Sequence, residues 1–121
     1  MKALFDTNIL IDYLSGYEQA NQEIKKYSEP AISILTWMEV LAGAEDDEIE
    51  VIKNFLSTFQ VFPLTTGIAE DAVKIRKEFK IKLPDSIIWA TARDNGMFLI
   101  TRNTKDFKIT YSGVLFPYKI S

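Results

Sequence analysis

Short apolar runs recur along the chain, and most are followed by a longer stretch in which polar and apolar residues mix. Runs of this length are typical of strands buried on both faces, whereas apolar positions spaced three or four residues apart are typical of helices. The pattern predicts five strands, at 2–5, 31–34, 60–64, 97–100 and 114–116.

Helices are predicted in the intervals between these strands. Gly16 and Gly43 stand where two of the helical patterns stop, and Pro30 forbids continuation of another. In the stretch that starts at position 66, apolar residues recur every three or four positions between charges, which predicts an amphipathic helix. The predicted helices are 9–14, 17–27, 35–43, 46–59, one from position 66 onward and one from Pro84 through Ala92.

Short apolar strands that alternate with helices favour a parallel sheet covered on both faces. We therefore expect an α/β fold, a three-layer α/β/α domain with a central, mostly parallel sheet. A length of 121 residues is typical of one domain with one core. No linker, repeat or low-complexity segment divides the sequence, so we expect a single domain over residues 1–121.

The chain contains no cysteine and no histidine. This excludes a Ser-His-Asp triad, a Cys-His pair, a disulfide framework and a thiolate or imidazole zinc site. Carboxylates, hydroxyls, lysine and arginine remain for chemistry, and oxygen ligands favour Mg²⁺ or Mn²⁺. The net charge of -3 argues against a generally basic surface but leaves room for a local basic patch.

No apolar run approaches the roughly 18 residues that a membrane span needs. The N-terminal apolar run reaches Asp6 too early for a signal peptide. We expect a cytoplasmic protein with no membrane partner.

Three aspartates occupy positions at which parallel sheets bind ligands, outside the carboxyl ends of the strands or at the following helix starts. Asp6 directly follows the first strand, Asp106 lies in the polar turn after strand 97–100, and Asp85 follows Pro84 at a helix start. Asp6 and Asp85 are also suited to purely structural roles, as a helix cap and as a first-turn acid.

Glu39 lies in a predicted helix that has almost no polar face. We therefore expect its carboxylate to be buried, which requires a partner, a proton or a metal ion. A capping box formed with Thr36 is the structural alternative, and Ser33 is an equally suitable cap. Together with the three aspartates, Glu39 outlines a metal site whose ligands are all oxygens.

Four segments, 4–8, 37–43, 83–92 and 99–107, resemble in this order the motifs of PIN-domain ribonucleases. More narrowly, they resemble VapC toxins of VapBC toxin–antitoxin pairs. The resemblance covers essentially the whole chain. It implies a PIN-like α/β/α fold and a Mg²⁺- or Mn²⁺-dependent endoribonuclease that hydrolyses RNA phosphodiester bonds by attack of water, leaving a 5′-phosphate and a 3′-hydroxyl.

By this resemblance, Asp6, Glu39 and Asp85 are the metal-binding and catalytic residues. Thr7 and Thr101 match positions that support these acids through hydroxyl hydrogen bonds. The chain departs from the pattern at Asn103, where many members carry a fourth acid, so Asn103 is expected to have a supporting role. Asp106, three residues further on, is the candidate for the fourth catalytic acid.

Basic residues are needed because an acidic pocket repels RNA. Arg102 and Lys105, beside the predicted site, are the candidates for substrate binding. A cluster between Lys74 and Lys82 is a further candidate, with a solvated helix face as the alternative. Trp37 and Trp89 lie in apolar helices, which favours packing over base stacking.

The resemblance also implies a cognate antitoxin protein and a homodimer. Apolar and aromatic residues in excess of what one core covers agree with such partners, and the set consists of Tyr13, Tyr17, Trp37 and Phe55. Two other functions stay open at this point. One is a non-catalytic PIN-like binding module, and the other is a phosphoacceptor receiver domain, which would need an aspartate at the end of a strand near mid-chain.

Overall fold

A computed structural model gives the fold of residues 2–120. The sheet contains five strands: β1 (Ala3–Phe5), β2 (Ala31–Ser33), β3 (Gln60–Phe62), β4 (Phe98–Ile100) and β5 (Val114–Leu115). Their order is β3-β2-β1-β4-β5, and all four neighbouring pairs are parallel. The five predicted strands are confirmed, each one or two residues shorter than the apolar run that indicated it.

Six α-helices surround the sheet: α1 (Thr7–Leu14), α2 (Glu18–Lys25), α3 (Ile34–Ala42), α4 (Ile49–Leu56), α5 (Thr66–Phe79) and α6 (Leu83–Asp94). The predicted helix 46–59 is shorter, because a 3-10 turn precedes α4 and the hydroxyls of Ser57 and Thr58 hydrogen-bond to backbone carbonyls of its last turn. No helix within residues 2–120 is long and apolar enough to cross a membrane.

The core consists of two apolar layers, one on each face of the sheet. Leu4 of β1 packs with residues of α5 and α6 on one face, whereas Ala3 and Phe5 pack with residues of α1 and α4 on the other. This alternation follows from the pleat of a strand, in which successive side chains point to opposite faces. The predicted three-layer α/β/α architecture is confirmed.

The aromatic residues contribute mainly to packing. Trp89 is buried in the core beside Phe107, and Trp37 is partly buried against the opposite layer, as predicted for both. Tyr13 and Phe55 stack on each other and are partly buried. Of the aromatic residues expected to lie in excess of the core, Tyr17 alone is exposed.

The chain order creates a switch point at the centre of the sheet. From β1 the chain builds outward to β2 and β3, and it then returns to place β4 on the other side of β1. Loops at such a point diverge and leave a crevice at the carboxyl ends of the strands. The residues that follow β1 and β4 meet there, and the backbone N–H of Asp6 donates to the carbonyl of Ile100 at 2.9 Å.

Candidate active site

Asp6 lies at the switch point, between the end of β1 and the start of α1. It is the N-cap of α1, and its Oδ1 accepts from the backbone N–H of Thr7 at 2.7 Å. The side chain is almost entirely buried, with 4% of the residue exposed. The structural role foreseen for Asp6 is therefore present, and it places the carboxylate in the crevice.

The second oxygen of Asp6 is held by residues from two distant segments. The hydroxyl of Thr101, directly after β4, donates to Asp6 Oδ2 at 2.8 Å, and the amide of Asn8 donates to the same oxygen at 3.2 Å. Asn8 in turn accepts from the backbone N–H of Arg102 at 3.1 Å. These bonds lock the loop after β4 onto the first turn of α1 and fix the Asp6 carboxylate.

The electrostatics of Asp6 reflect its burial. Removal from water raises the pKa of Asp6 above its ordinary value, and the negative charge of Glu39 adds to this. The hydrogen bonds from Thr101, Thr7 and Asn8 act in the opposite direction because they stabilise the ionised form.

Glu39 lies on an exposed side of α3, so the expectation that it is buried is wrong. Its neighbour Met38 is also exposed, at 53%, which means that this apolar helix turns part of its apolar surface outward. The hydroxyl of Thr7 donates to Glu39 Oε1 at 2.6 Å and also lies 3.0 Å from the hydroxyl of buried Thr36. Ser33, not Thr36, caps α3.

Asp85 lies in the first turn of α6, and its pKa is influenced by the other acids. Partial burial and the negative charges of Asp6, Asp106 and Glu39 raise the pKa of Asp85 to about 6, and Lys82 acts weakly against this. Four carboxylates from separate segments are therefore near enough to interact electrostatically.

Asn103 supports Asp106. The amide of Asn103 donates to Asp106 Oδ2 at 3.0 Å, and its Oδ1 accepts the backbone N–H groups of Lys105 and Asp106 at 3.2 and 3.1 Å. The backbone N–H of Asn103 donates to Thr101 at 3.0 Å. This single turn thus orients both the hydroxyl that binds Asp6 and the carboxylate of Asp106.

The four carboxylates fit a divalent cation in donor type and charge, since all their ligand atoms are hard oxygens. Within residues 2–120, however, no three acidic side chains converge to the spacing of a preformed metal site. Burial, together with the charges of the three neighbouring acids, raises the pKa of Asp85.

The model of the PIN domain family matches residues 3–111. This chain belongs to the PIN domain family. Membership excludes the receiver-domain alternative and confirms the resemblance seen in the four motifs.

Relatives of this PIN domain include two curated nucleases. A "tRNA(fMet)-specific endonuclease VapC" of Shigella flexneri is 28% identical over 89% of this chain and 91% of its own length. A "Ribonuclease VapC10" of Mycobacterium tuberculosis is 30% identical over 86% of this chain and 84% of its own length. A solved toxin–antitoxin complex from Klebsiella pneumoniae contains a chain with 48% identity and a TM-score of 0.93, covering 98% of this chain and 100% of that one.

The two basic residues predicted to bind RNA, Arg102 and Lys105, differ in whether they form an ion pair within the protein. Arg102 forms a bidentate ion pair with buried Asp12 on α1, with N···O distances of 2.7 and 2.8 Å, and Tyr118 donates to the same carboxylate at 2.8 Å. Lys105 is exposed beside the site. Because Arg102 already has a partner, its predicted contact with RNA stays a prediction, as does that of Lys105.

The cluster from Lys74 to Lys82 lies on exposed positions of α5 and the loop after it. Arg76, Lys77 and Lys80 line a shallow cavity of about 400 Å³, and one guanidinium nitrogen of Arg76 donates to the carbonyl of Ile81 at 2.9 Å. This arrangement is compatible with both interpretations of the cluster, a solvated face and an RNA contact.

Sequence reasoning gave no role at the site to four residues that join its hydrogen-bond network: Asn8, Asp12, Thr36 and Tyr118. Asn8 had a detectable signal, because it lies two residues after Asp6 in the first turn of the same helix. Asp12 and Tyr118 had none, since their bond joins residues 106 positions apart.

Proposed function

We propose that this PIN domain is a Mg²⁺- or Mn²⁺-dependent endoribonuclease and the toxin of a toxin–antitoxin pair. The observation that carries the proposal is the grouping of four carboxylates at the switch point, where burial and the charges of the other three raise the pKa of Asp85. A divalent cation held among these carboxylates would offset their mutual repulsion, and it competes with protons for the same oxygens. The VapC relatives supply RNA as the substrate class.

In this proposal Asp6 and Asp85 would hold the cation, and Glu39 would bind it directly or through water. Polarisation of a phosphate and activation of a water molecule are the chemistry that a cation held there would supply. The chain's own residues do the rest of the positioning: Thr101 and Thr7 hold the carboxylates of Asp6 and Glu39.

Asp106 is proposed as the fourth acid, held in place by Asn103. Water as the nucleophile leaves a 5′-phosphate and a 3′-hydroxyl. An RNA substrate also implies the cytoplasm as the place of action.

The test is cleavage of RNA by the purified protein in Mg²⁺, in Mn²⁺ and in excess EDTA. We expect cleavage only with a cation, and loss of cleavage in Asp85→Asn, which keeps the shape of the side chain and removes its charge. Asp94→Asn, at the exposed end of the same helix, is the matched control and should cleave like the wild type. Full cleavage in EDTA, or by Asp85→Asn, contradicts the mechanism.

The same assay addresses the non-catalytic alternative. RNA that is bound but not cleaved under any cation condition would identify a binding module. The alternative has little to favour it, because Asp6, Glu39 and Asp85 are all present and the charges of Asp6 and Glu39 act on Asp85.

An antitoxin partner is supported by the toxin–antitoxin complex to which this chain is 48% identical. It is further supported by exposed apolar side chains on three helices, of which α3 contacts both α1 and α4: Ile11, Leu14, Met38 and Val51. Contiguous exposed apolar surface is typical of protein interaction sites.

A homodimer is the proposed state of the isolated chain. Sedimentation velocity should give a mass twice the 13.9 kDa of one chain. A monomer at all concentrations tested would contradict the dimer and leave the nuclease proposal intact.

A further inference from the structure

A groove runs beside the acidic crevice, between the turn that follows β4 and the C-terminal segment. It consists of two adjoining cavities of about 360 and 400 Å³ that share Thr104, Phe116 and Lys119 as lining residues. Arg102, which follows the Asp6-binding residue Thr101, lines the first cavity. The groove is therefore lined at one end by the residue that follows the Asp6 partner along the chain.

The charge of the groove is opposite to that of the crevice. Among residues 2–120, no acidic side chain lines either cavity, whereas Arg102, Lys108 and Lys119 do. Residues 101–120 contain four lysines or arginines and one aspartate, although acids outnumber bases by 17 to 14 in the whole chain. In the described part of the chain, Lys108 and Lys119 form no ion pair, so both ammonium groups are available to a ligand.

Apolar and aromatic side chains form the floor of the groove. Phe116 is partly buried, packs on the core and lines both cavities. Ile109, at 83% exposure, projects from the second cavity into solvent. The ring of Tyr118 lines the first cavity while its hydroxyl is fixed on Asp12.

Aromatic rings set among lysines, without acids, suit a single strand of nucleic acid, because bases stack on the rings and phosphates bind the ammonium groups. A volume of 360 to 400 Å³ falls in the range of small-ligand pockets, so each cavity has room for a nucleotide. A substrate whose phosphodiester lies in the acidic crevice must also extend beyond it. The adjoining groove supplies the positive charge that the crevice lacks.

We propose that this groove binds the single-stranded RNA that flanks the cleaved bond, with a base stacked on Phe116 and phosphates on Lys108 and Lys119. The inference rests on the proposed ribonuclease function and adds a substrate-binding subsite to it. It also predicts that the RNA is unpaired at this position, since a base in a duplex cannot stack on a protein ring.

The electrostatic part is tested by fluorescence anisotropy with a labelled single-stranded RNA decamer, in excess EDTA so that no cleavage occurs. The double variant Lys108→Ala/Lys119→Ala is compared with Lys25→Ala/Lys53→Ala, which removes the same charge from exposed positions of α2 and α4. Each phosphate contact on a single strand contributes about 0.7 to the slope of log K against log salt. The groove variant should therefore lose about 1.4 from this slope, and the control pair should keep the wild-type slope.

The stacking part is tested with Phe116→Leu and Phe116→Tyr. Leucine keeps apolar contact with the core but has no flat face, so the affinity for the decamer should fall about fivefold or more with the salt slope unchanged. Tyrosine keeps the ring and should bind like the wild type. Thermal unfolding checks that each variant is folded, and if Phe116→Leu fails this check the lysine variants decide.

Equal salt slopes for the groove and control pairs would overturn the subsite, even if the wild type binds and cleaves RNA. That result would show that Lys108 and Lys119 make no phosphate contact and leave them as solvated surface charges. A wild-type protein that neither binds nor cleaves RNA would overturn the proposed function and this inference with it.

Discussion

Asp6 combines a structural role and a proposed chemical role in one side chain. One oxygen caps α1, and the other is held by Thr101 and Asn8. These donors offset part of the cost of burying a charge that also faces Glu39. A cap that is also a ligand is fixed by the backbone of its own helix, which places it more rigidly than a side chain on a free loop.

The hydroxyl of Thr101 is predicted to matter for activity more than for stability. Thr101→Val keeps the shape but removes the donor to Asp6, so the pKa of Asp6 should rise further. Loss of a group that orients a metal ligand lowers activity by about 10- to 100-fold, measured as the rate of Mg²⁺-dependent cleavage.

Thr91→Val is the matched control for this prediction. Its hydroxyl is equally buried and donates to the carbonyl of Ile87 at 2.7 Å. This bond lies within α6 and does not involve a carboxylate of the site. Both variants should lose about 1 kcal/mol of unfolding free energy. Equal cleavage rates in the two would reduce Thr101 to a packing residue.

Among the secondary-structure elements, existence and order were predictable, and side-chain orientation was less so. Apolar periodicity identified all five strands and the amphipathic helix α5, whose Ile68, Ala72 and Ile75 are buried. The same reasoning failed for Glu39, because α3 is apolar around its circumference and periodicity does not say which side faces water. Contacts such as Asp12 with Arg102 depend on how distant segments pack, which no local pattern encodes.

The Asp12 network joins three elements, namely α1, the turn after β4 and the C-terminal segment. Hydrogen bonds between ionised partners contribute about 1.5 to 3 kcal/mol, so Asp12→Ala should lower the unfolding free energy by about that amount. Tyr118→Phe removes a single bond and should cost about 1 kcal/mol.

Hydrogen–deuterium exchange measures the local effect of both variants. Exchange in residues 116–120 should become faster, while exchange in β1 stays slow because that strand is paired on both sides. Glu29→Gln, an exposed change of a carboxylate elsewhere, serves as the control. Unchanged exchange in 116–120 after loss of Asp12 would show that other contacts hold this segment.

For the whole molecule, the distribution of charge matters more than its total. A net charge of -3 conceals an acidic crevice at the switch point and a lysine-bearing groove next to it. The sequence predicted the acids of the crevice through their positions after strands and at helix starts. It did not reveal the groove, because Lys108 and Lys119 are brought together only when the C-terminal segment folds back on the turn after β4.

The free energy of unfolding should show whether Asp85 binds the cation. Asp85→Asn should be more stable than the wild type without Mg²⁺ and less stable with it. In EDTA, ionised Asp85 opposes folding, because its pKa is about 6 in the folded protein and about 4 in the unfolded chain. The penalty is absent below the unfolded value, grows as the pH rises through this interval, and is complete above pH 6. Asp85→Asn should therefore be more stable than the wild type at pH 8, by about 1 kcal/mol after allowance for screening at a partly exposed group.

Added Mg²⁺ should invert this order. A ligand that binds only the folded state stabilises it in proportion to the logarithm of its concentration relative to the dissociation constant. The wild type should gain stability as Mg²⁺ is raised, whereas Asp85→Asn, with one carboxylate fewer, should gain less and become the less stable of the two. Chemical denaturation at pH 8 across a Mg²⁺ series measures both curves, with the exposed Glu29→Gln as the variant that should follow the wild type. Removal of a group that contributes to binding must change the Mg²⁺ dependence of stability. Parallel curves for Asp85→Asn and the wild type would therefore show that Asp85 does not bind the cation.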